Sequence, residues 1–441
     1  MGNQTSSLTS SIPTDVNDDI ITEILAKLPV KKLLQFQSVS KPWLTLINQP
    51  SFAKLHYEHF STKTHGSNTF ISAYNTLTRH RHFLSASRAT SRAAVATSRA
   101  AVSCSRAVMS GPRAAPPKSL VALTHLVTFT APSITSKETT ECEHLNGLIL
   151  FNSGNGFVEN DYAYVTNPST RETVKISAPV SVLANIYGKV HICYFFGYDE
   201  VRNEHKVLNI RMLDIKSLKP FKPSRVEIML YELSSFTWRK IDVDLPFDIS
   251  GDRWCYGTKH SVCVNSVIYV MLQSRNEILA FDLRTEMFEI INLPSGAIHD
   301  IPQGSSKRVC KKGLNTVVSN QPFLMKVHGL LGVVCYDREA ISSQMRIWLL
   351  KDYEKRVWVR ESVGFSESWF LLDGPFLLNP YFMKNVPIPM YDMERRSLEP
   401  VQYASRDLFL HSENVRFDHV RSYVESIYPL RRNRSRTSRA G

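Results

Sequence analysis

ILAFDLRTEMF, residues 278–288, is an apolar extended run that ends in a polar dipeptide, crosses a turn and reaches an aromatic residue seven positions after Phe281. β-Branched and aromatic residues flanking a short polar cluster read as a β-hairpin. The same arrangement recurs from Asn167 to Val174 (NPSTRETV), Tyr231 to Trp238 (YELSSFTW), Lys351 to Trp358 (KDYEKRVW) and Tyr391 to Leu398 (YDMERRSL). Successive anchors lie 64, 50, 70 and 40 residues apart. An irregular period of that size, with one hairpin per unit, predicts a degenerate β-propeller whose longer intervals absorb loop insertions. A β-sandwich also contains hairpins of this kind, so the repeat by itself leaves both architectures open.

Working outward, short β-type runs with turn punctuation extend from about residue 120 to 430, and long amphipathic helices are missing there. Residues 12–60 read as a small helical module, 61–119 as a linker with a low-complexity Ser/Arg/Ala insert, and 1–11 and 431–441 as disordered tails, the second one basic. The expected fold is therefore mainly β, a degenerate β-propeller-like domain preceded by a small all-α module. With 43% apolar and 21% charged residues, the 441-residue chain has an ordinary globular composition. No apolar stretch is long enough for a membrane span, and the start MGNQTSSLTSSIP lacks the basic and apolar regions of a secretory leader.

The formal charge of +13 is concentrated in two places. Arg88, Arg92, Arg99, Arg106, Arg113 and Lys118 form one acid-free tract and Arg431, Arg432, Arg434, Arg436 and Arg439 another, so eleven of the thirteen charges lie outside the expected domains. What remains offers no electrostatic footprint for a duplex, and no specific nucleic-acid partner is expected. The seven cysteines are scattered without a C-x-x-C pair, which fits reduced, mostly buried thiols rather than a disulfide or zinc framework.

In the segment 12–52, Thr14 or Asp15 is placed to cap a first helix whose apolar stripe is Ile20, Ile21, Ile24, Leu25 and Leu28, stopped by Pro29. A second helix presents Leu33, Leu34 and Phe36. A third starts near Ser40, tolerates Pro42 in its first turn, and offers Trp43, Leu46 and Ile47; Ser51 is placed to cap a fourth. Each is too short to be stable alone, and the module holds more large apolar residues than it can hide. Two outcomes follow: the surplus packs on the chain's own β domain, or it docks on a partner helix.

These residues carry a resemblance. Ile12-Pro13, Asp15, Glu23-Ile24-Leu25, Leu28-Pro29-Val30-Lys31, Leu33-Leu34, Phe36, Ser38-Val39-Ser40-Lys41, Trp43, Leu46-Ile47, Pro50 and Phe52 resemble the F-box motif of the large plant family of F-box proteins. The resemblance implies docking on the Skp-type adaptor, and through it the cullin, of a Skp–cullin–F-box ubiquitin ligase. Pro13, Leu28, Pro29, Val30, Leu33, Leu34 and Trp43 are then the adaptor-facing and supporting residues. Gln35 and Gln37 stand where relatives often have basic residues and Lys32 where Ser is frequent, all outside the apolar anchors.

Further along, Cys142-Glu143-His144-Leu145-Asn146-Gly147-Leu148-Ile149 resembles the C-N-G-L-L stretch that opens plant F-box-associated domains. Asn167-Pro168-Ser169-Thr170, Gly197-Tyr198-Asp199 with Lys206-Val207-Leu208, and Ile278-Leu279-Ala280-Phe281-Asp282-Leu283 continue it in order over about 140–365. His144-Leu145 precede the Asn-Gly, and Ser266 stands where relatives usually place Gly. The resemblance favours the propeller and implies a substrate-recognition subunit that recruits an unidentified protein for ubiquitination. The rival expectation is a kelch-like interaction scaffold uncoupled from any ligase.

No Walker loop, G-x-S-x-G elbow, H-E-x-x-H or G-x-G-x-x-G is present, and no nucleophile stands with a base and its support. Ser153-Gly154-Asn155-Gly156 reads as a turn; His56 with His59 and His80 with His82 lack accompanying ligands. No catalysis, cofactor or metal is expected. Trp254, Tyr256, Trp369 and Phe370, in or beside expected loops, are the candidate substrate anchors, although Trp is as readily a core residue. Met1-Gly2-Asn3-Gln4-Thr5-Ser6 fits the myristoylation pattern at Gly2, but one acyl chain without a nearby polybasic patch is only a weak, reversible anchor. The expected location is cytoplasm and nucleus.

Overall fold

The computed structural model describes residues 18–63, 68–75, 77–88, 119–130, 141–152, 161–180, 189–214, 225–246, 261–272, 275–299, 308–311, 314–317, 322–327, 329–337, 344–364, 388–392, 397–404 and 415–430. Helices α1 (Asp18–Ala26), α2 (Val30–Phe36), α3 (Lys41–Ile47) and α4 (Pro50–Lys63) come first. Strands β1 (Asn68–Asn75), β2 (His80–Arg88) and β3 (Ser119–Thr130) follow. Then four antiparallel four-stranded meanders are laid down in chain order. The first is β4 (Glu141–Leu145), β5 (Leu148–Asn152), β6 (Ala163–Asn167) and β7 (Glu172–Ile176), and the second β8 (Lys189–Asp199), β9 (Glu204–Asp214), β10 (Arg225–Glu232) and β11 (Thr237–Lys240). The third is β12 (Ser261–Val264), β13 (Val267–Leu272), β14 (Glu277–Asp282) and β15 (Met287–Asn292). A small pair, β16 (Arg308–Lys311) and β17 (Leu314–Val317), precedes the fourth, β18 (Phe323–Val327), β19 (Leu330–Asp337), β20 (Gln344–Asp352) and β21 (Val357–Gly364).

The chain ends with β22 (Ile388–Asp392), β23 (Ser397–Ala404) and β24 (Val415–Ser422), which join the early strands in one six-stranded sheet of order β22-β23-β3-β2-β1-β24. Residues 68–88, expected to be linker, are therefore part of the β structure. Their pattern hides this because Phe70 and Ile71 are neighbours and both fully buried, with no period-two alternation to see, and because β2 meets β3 only across the insert. The basic insert from residue 89 to 118 and both tails lie outside the described residues, whereas Arg88, the first residue of the basic tract, ends β2.

Consecutive meanders pack face to face. Phe195, Ile210, Ile228 and Leu230 of the second meet Ile268, Leu279, Phe281 and Leu283 of the third in one core, and Val267, Tyr269 and Ile278 meet Leu331, Val333 and Leu350 of the fourth in the next. Gly197 in β8 is at such a contact: a Cβ there would stand 2.7 Å from the Ile268 and Leu283 methyls. The arrangement is propeller-like, mainly β, with the innermost strands β4, β8, β12 and β18 side by side. Glu143 ties three of them, its carboxylate accepting from the Phe196 N–H at 2.7 Å and from the Ser261 N–H and hydroxyl at 3.2 and 2.8 Å.

The repeated hairpin has a simple cause. In the turns 167–172, 232–237, 282–287 and 352–357 the fifth residue, Arg171, Phe236, Glu286 or Arg356, is left-handed with φ between 56° and 63°. The first residue, where it is Asn167, Asp282 or Asp352, accepts turn N–H groups on its side-chain oxygen. Tyr231 pairs with Trp238, Phe281 with Phe288 and Tyr391 with Leu398, as the anchors predict. Two units are out of step: Thr166 pairs with Thr173, so Asn167 matches Glu232 and Asp282, not Tyr231 and Phe281, and Trp358 pairs with Leu350, because the register shifts at Lys351.

Candidate functional site

The helical module divides its apolar residues between two faces. Leu25, Val30, Leu33, Ile47 and Phe52 are buried in one continuous core with Leu148, Leu150 and Val165 of the first meander and Ile427 and Leu430 of the C-terminal segment. Ile21, Leu28, Phe36, Trp43 and Leu46 are half-buried against that core, with Phe36 and Trp43 edge to face at 5.5 Å. Left outside are Ile20, Ile24 (55% exposed), Leu34 (36%), Val39, Leu44 and Leu55, with Pro29 also exposed. The wide stripe of α1 is thus split: Ile21 and Leu25 point inward, Ile20 and Ile24, one turn apart, outward.

Local chemistry holds these helices. Ser40 is extended at φ −154° and its hydroxyl accepts from the Trp43 N–H at 3.3 Å, with Pro42 in the first turn as expected. Helix α4 begins at Pro50 and runs 14 residues, so Ser51 lies within its first turn rather than at its cap. The buried His56 imidazole of α4 is hydrogen-bonded through Nε2 to the Leu28 carbonyl at 2.9 Å, across the α1–α2 corner that ends in Pro29. Burial holds the His56 pKa below its ordinary value, so the ring is a neutral donor there.

Of the residues named for adaptor binding, the structure exposes Pro29 and Leu34, half-buries Leu28 and Trp43, and fully buries Val30 and Leu33. The last two can only support the face. Pro13 lies outside the described residues, as do Thr14, Asp15 and Gly2.

The helices sit at the turn end of the sheets. Ile427 and Leu430, which share the core of the helices, belong to the C-terminal segment that bonds the 167–172 turn. An antiparallel meander sends its other connections to the opposite end. Trp254 and Tyr256 belong to the chain between β11 and β12, and Trp369 and Phe370 to the chain between β21 and β22; both connections start from strand ends remote from the helices. All four side chains lie outside the described residues.

Among the described residues no group of three or more His, Cys, Asp or Glu could hold a metal ion, and no helix is long and apolar enough to cross a membrane. His82 and His125 both bond the Thr128 hydroxyl, at 3.0 and 2.8 Å. Cys193, Cys263 and Cys335 are buried thiols outside any disulfide, the last two pushed by burial up to about 12, which keeps them protonated and unreactive.

Two family models match the chain: the F-box domain over residues 14–55 and the F-box associated beta propeller domain over residues 100–404. The chain belongs to the plant F-box proteins that carry an F-box associated beta propeller domain. F-box protein At1g30790 of Arabidopsis thaliana is 24% identical over 421 residues, covering 87% of this chain and 88% of its own. Putative F-box proteins At5g62660 and At5g52610 of the same plant are 28% and 24% identical, covering 63% and 81% of this chain and 63% and 80% of their own. An F-box followed by this β domain supports, in general terms, a non-catalytic substrate-recognition role of the Skp–cullin–F-box type, with the helices as the part that meets a Skp-type adaptor.

Proposed function

We propose that this chain is the substrate-recognition subunit of a Skp–cullin–F-box ubiquitin ligase and recruits one target protein for ubiquitination. The observation that carries the reading is the outward face of the module. Ile20, Ile24, Leu34, Val39 and Leu44 remain exposed after the inward face has been used by the β domain, and so many large apolar side chains on so small a module serve a partner rather than the fold. Burying Leu34 and Ile24 in an adaptor groove would remove that surface from water. The target is held at the sheet ends remote from the helices, with Trp254, Tyr256, Trp369 and Phe370 as anchors. The contribution to transfer is proximity, not bond making.

The scaffold reading has one observation in its favour, the internal packing of Leu25, Val30, Leu33 and Ile47, but it leaves the outward face without a purpose. Cytoplasm and nucleus, with at most a weak acyl anchor at Gly2, suit this role. Affinity purification of the full chain with proteasome activity blocked tests the reading: Skp and cullin should co-purify with a ubiquitinated target. Recovery of targets without either ligase component would support the scaffold instead.

A further inference from the structure

After β24 the chain does not leave the fold. Residues Tyr423–Leu430 run over the turn end of the first meander and under the helices, bonding to the former and packing into the core of the latter. The Asn167 side-chain amide donates to the Ser426 and Tyr428 carbonyls at 2.9 and 3.0 Å. The Glu172 carboxylate accepts from the Leu430 N–H at 3.0 Å, and the Ser169 hydroxyl bonds the Tyr423 phenol at 2.8 Å. On the other side, Ile427 and Leu430 enter the core that holds Val30 and Leu33.

We infer that Tyr423–Leu430 is a clasp that positions the F-box on the β domain, so that a force or binding event at the adaptor face is transmitted to the first meander as to one rigid body. The functional consequence rests on the adaptor reading above; the clasp itself does not. A target held at the far sheet ends gains effective concentration at the ligase only if the joint between the two parts is stiff, because a loose joint spreads it over many positions. The chain meets that need with a segment more than 250 residues from its partner turn in sequence.

Asn167→Asp separates the clasp from the fold. It keeps the side-chain oxygen that accepts the Ser169 N–H at 3.0 Å, and so the turn, but loses both donors and sets a carboxylate against two carbonyls. Amide hydrogen exchange of the full chain, with and without purified Skp-type adaptor, reads the result. Exchange in 423–430 and in α1–α2 should rise at least tenfold in Asn167→Asp while β12–β15 stay protected. In the wild type the adaptor should add protection in 423–430 and β6–β7, and in the variant only in the helices.

Faster exchange of 423–430 with unchanged helices in Asn167→Asp would overturn the clasp. Failure of the wild type to bind adaptor would instead count against the function proposed above, and the clasp would then stand or fall on the exchange rates measured without adaptor.

Discussion

Gly147 and Ser426 touch where the Asn146-Gly147 turn meets the C-terminal segment: a Cβ on Gly147 would collide with that of Ser426 and stand 2.8 Å from the Val424 carbonyl. Gly147 also has φ +80°, a conformation that L residues rarely adopt. The Asn-Gly of the domain's opening motif is therefore a turn requirement and a clearance requirement at once. Gly147→Ala should cost about 2–3 kcal/mol or more, from strain plus displacement of a packed segment, and chemical denaturation would show it. A loss below 1 kcal/mol would mean that the segment yields freely.

Ser266 is the contrasting case. It takes a turn position with φ 64°, and its hydroxyl accepts from the Glu200 N–H of the neighbouring meander at 2.8 Å. Relief of left-handed strain and loss of that bond are each about 1 kcal/mol, so Ser266→Gly should change stability by less than about 1 kcal/mol in either direction. A melting experiment that shows a loss above 2 kcal/mol would give the cross-sheet bond more weight.

Lys206 and Asp199 form a buried ion pair at 2.9 Å with side chains 1% and 0% exposed. Burial pushes the Asp199 carboxyl up, but the bonds from Lys206 and Arg202 outweigh it and hold it below its ordinary value. Lys206→Met removes the buried partner of that carboxylate, leaving it the half-exposed Arg202 guanidinium at 3.0 Å, and should cost up to about 3–5 kcal/mol. Adding Asp199→Asn, which keeps the side-chain oxygen that accepts the Val201 and Arg202 N–H groups at 3.1 Å, should recover most of the loss; a double variant no better than the single would contradict the account.

His205 is fully buried among Phe196, Tyr198 and Tyr428, and burial drives its pKa down to about 3. The folded ring stays neutral while the unfolded one takes a proton below about pH 6.5. Its contribution is thus complete above that pH and is lost as pH falls toward 3, amounting to about 2 kcal/mol between pH 7 and pH 5. Denaturant titrations should show a shallower acid loss for His205→Phe than for the wild type by about that much, and parallel curves would exclude the buried imidazole as the cause.

The hairpin repeat and the helical stripe are readable because both are local: turn chemistry at Asp282 or Asp352 acts on N–H groups two or three residues away, and Ile21 with Leu25, Val30 with Leu33 and Trp43 with Ile47 follow helical spacing. The one-residue slip at Asn167 arose because Asn can stand as a strand anchor or as the turn's first residue, and only the Thr166–Thr173 pairing separates the two. Strands β1 and β2 were hidden because both faces are covered and their partners β3 and β24 are distant in sequence. Nothing local distinguishes Leu33, buried, from Leu34, exposed, in a run of two leucines; the β domain and the C-terminal segment decide it.

That pair also provides the sharpest measurement. Leu34→Asp places a charge on the outward face and should abolish binding of purified Skp-type adaptor in calorimetric titration, with the melting temperature within about 2 °C of the wild type. Leu33→Ala opens a cavity in the shared core and should lower stability by about 2–5 kcal/mol, weakening binding only to the extent that the module unfolds. Adaptor binding by Leu34→Asp at wild-type affinity would contradict the claim that the outward face of the helices is the docking surface.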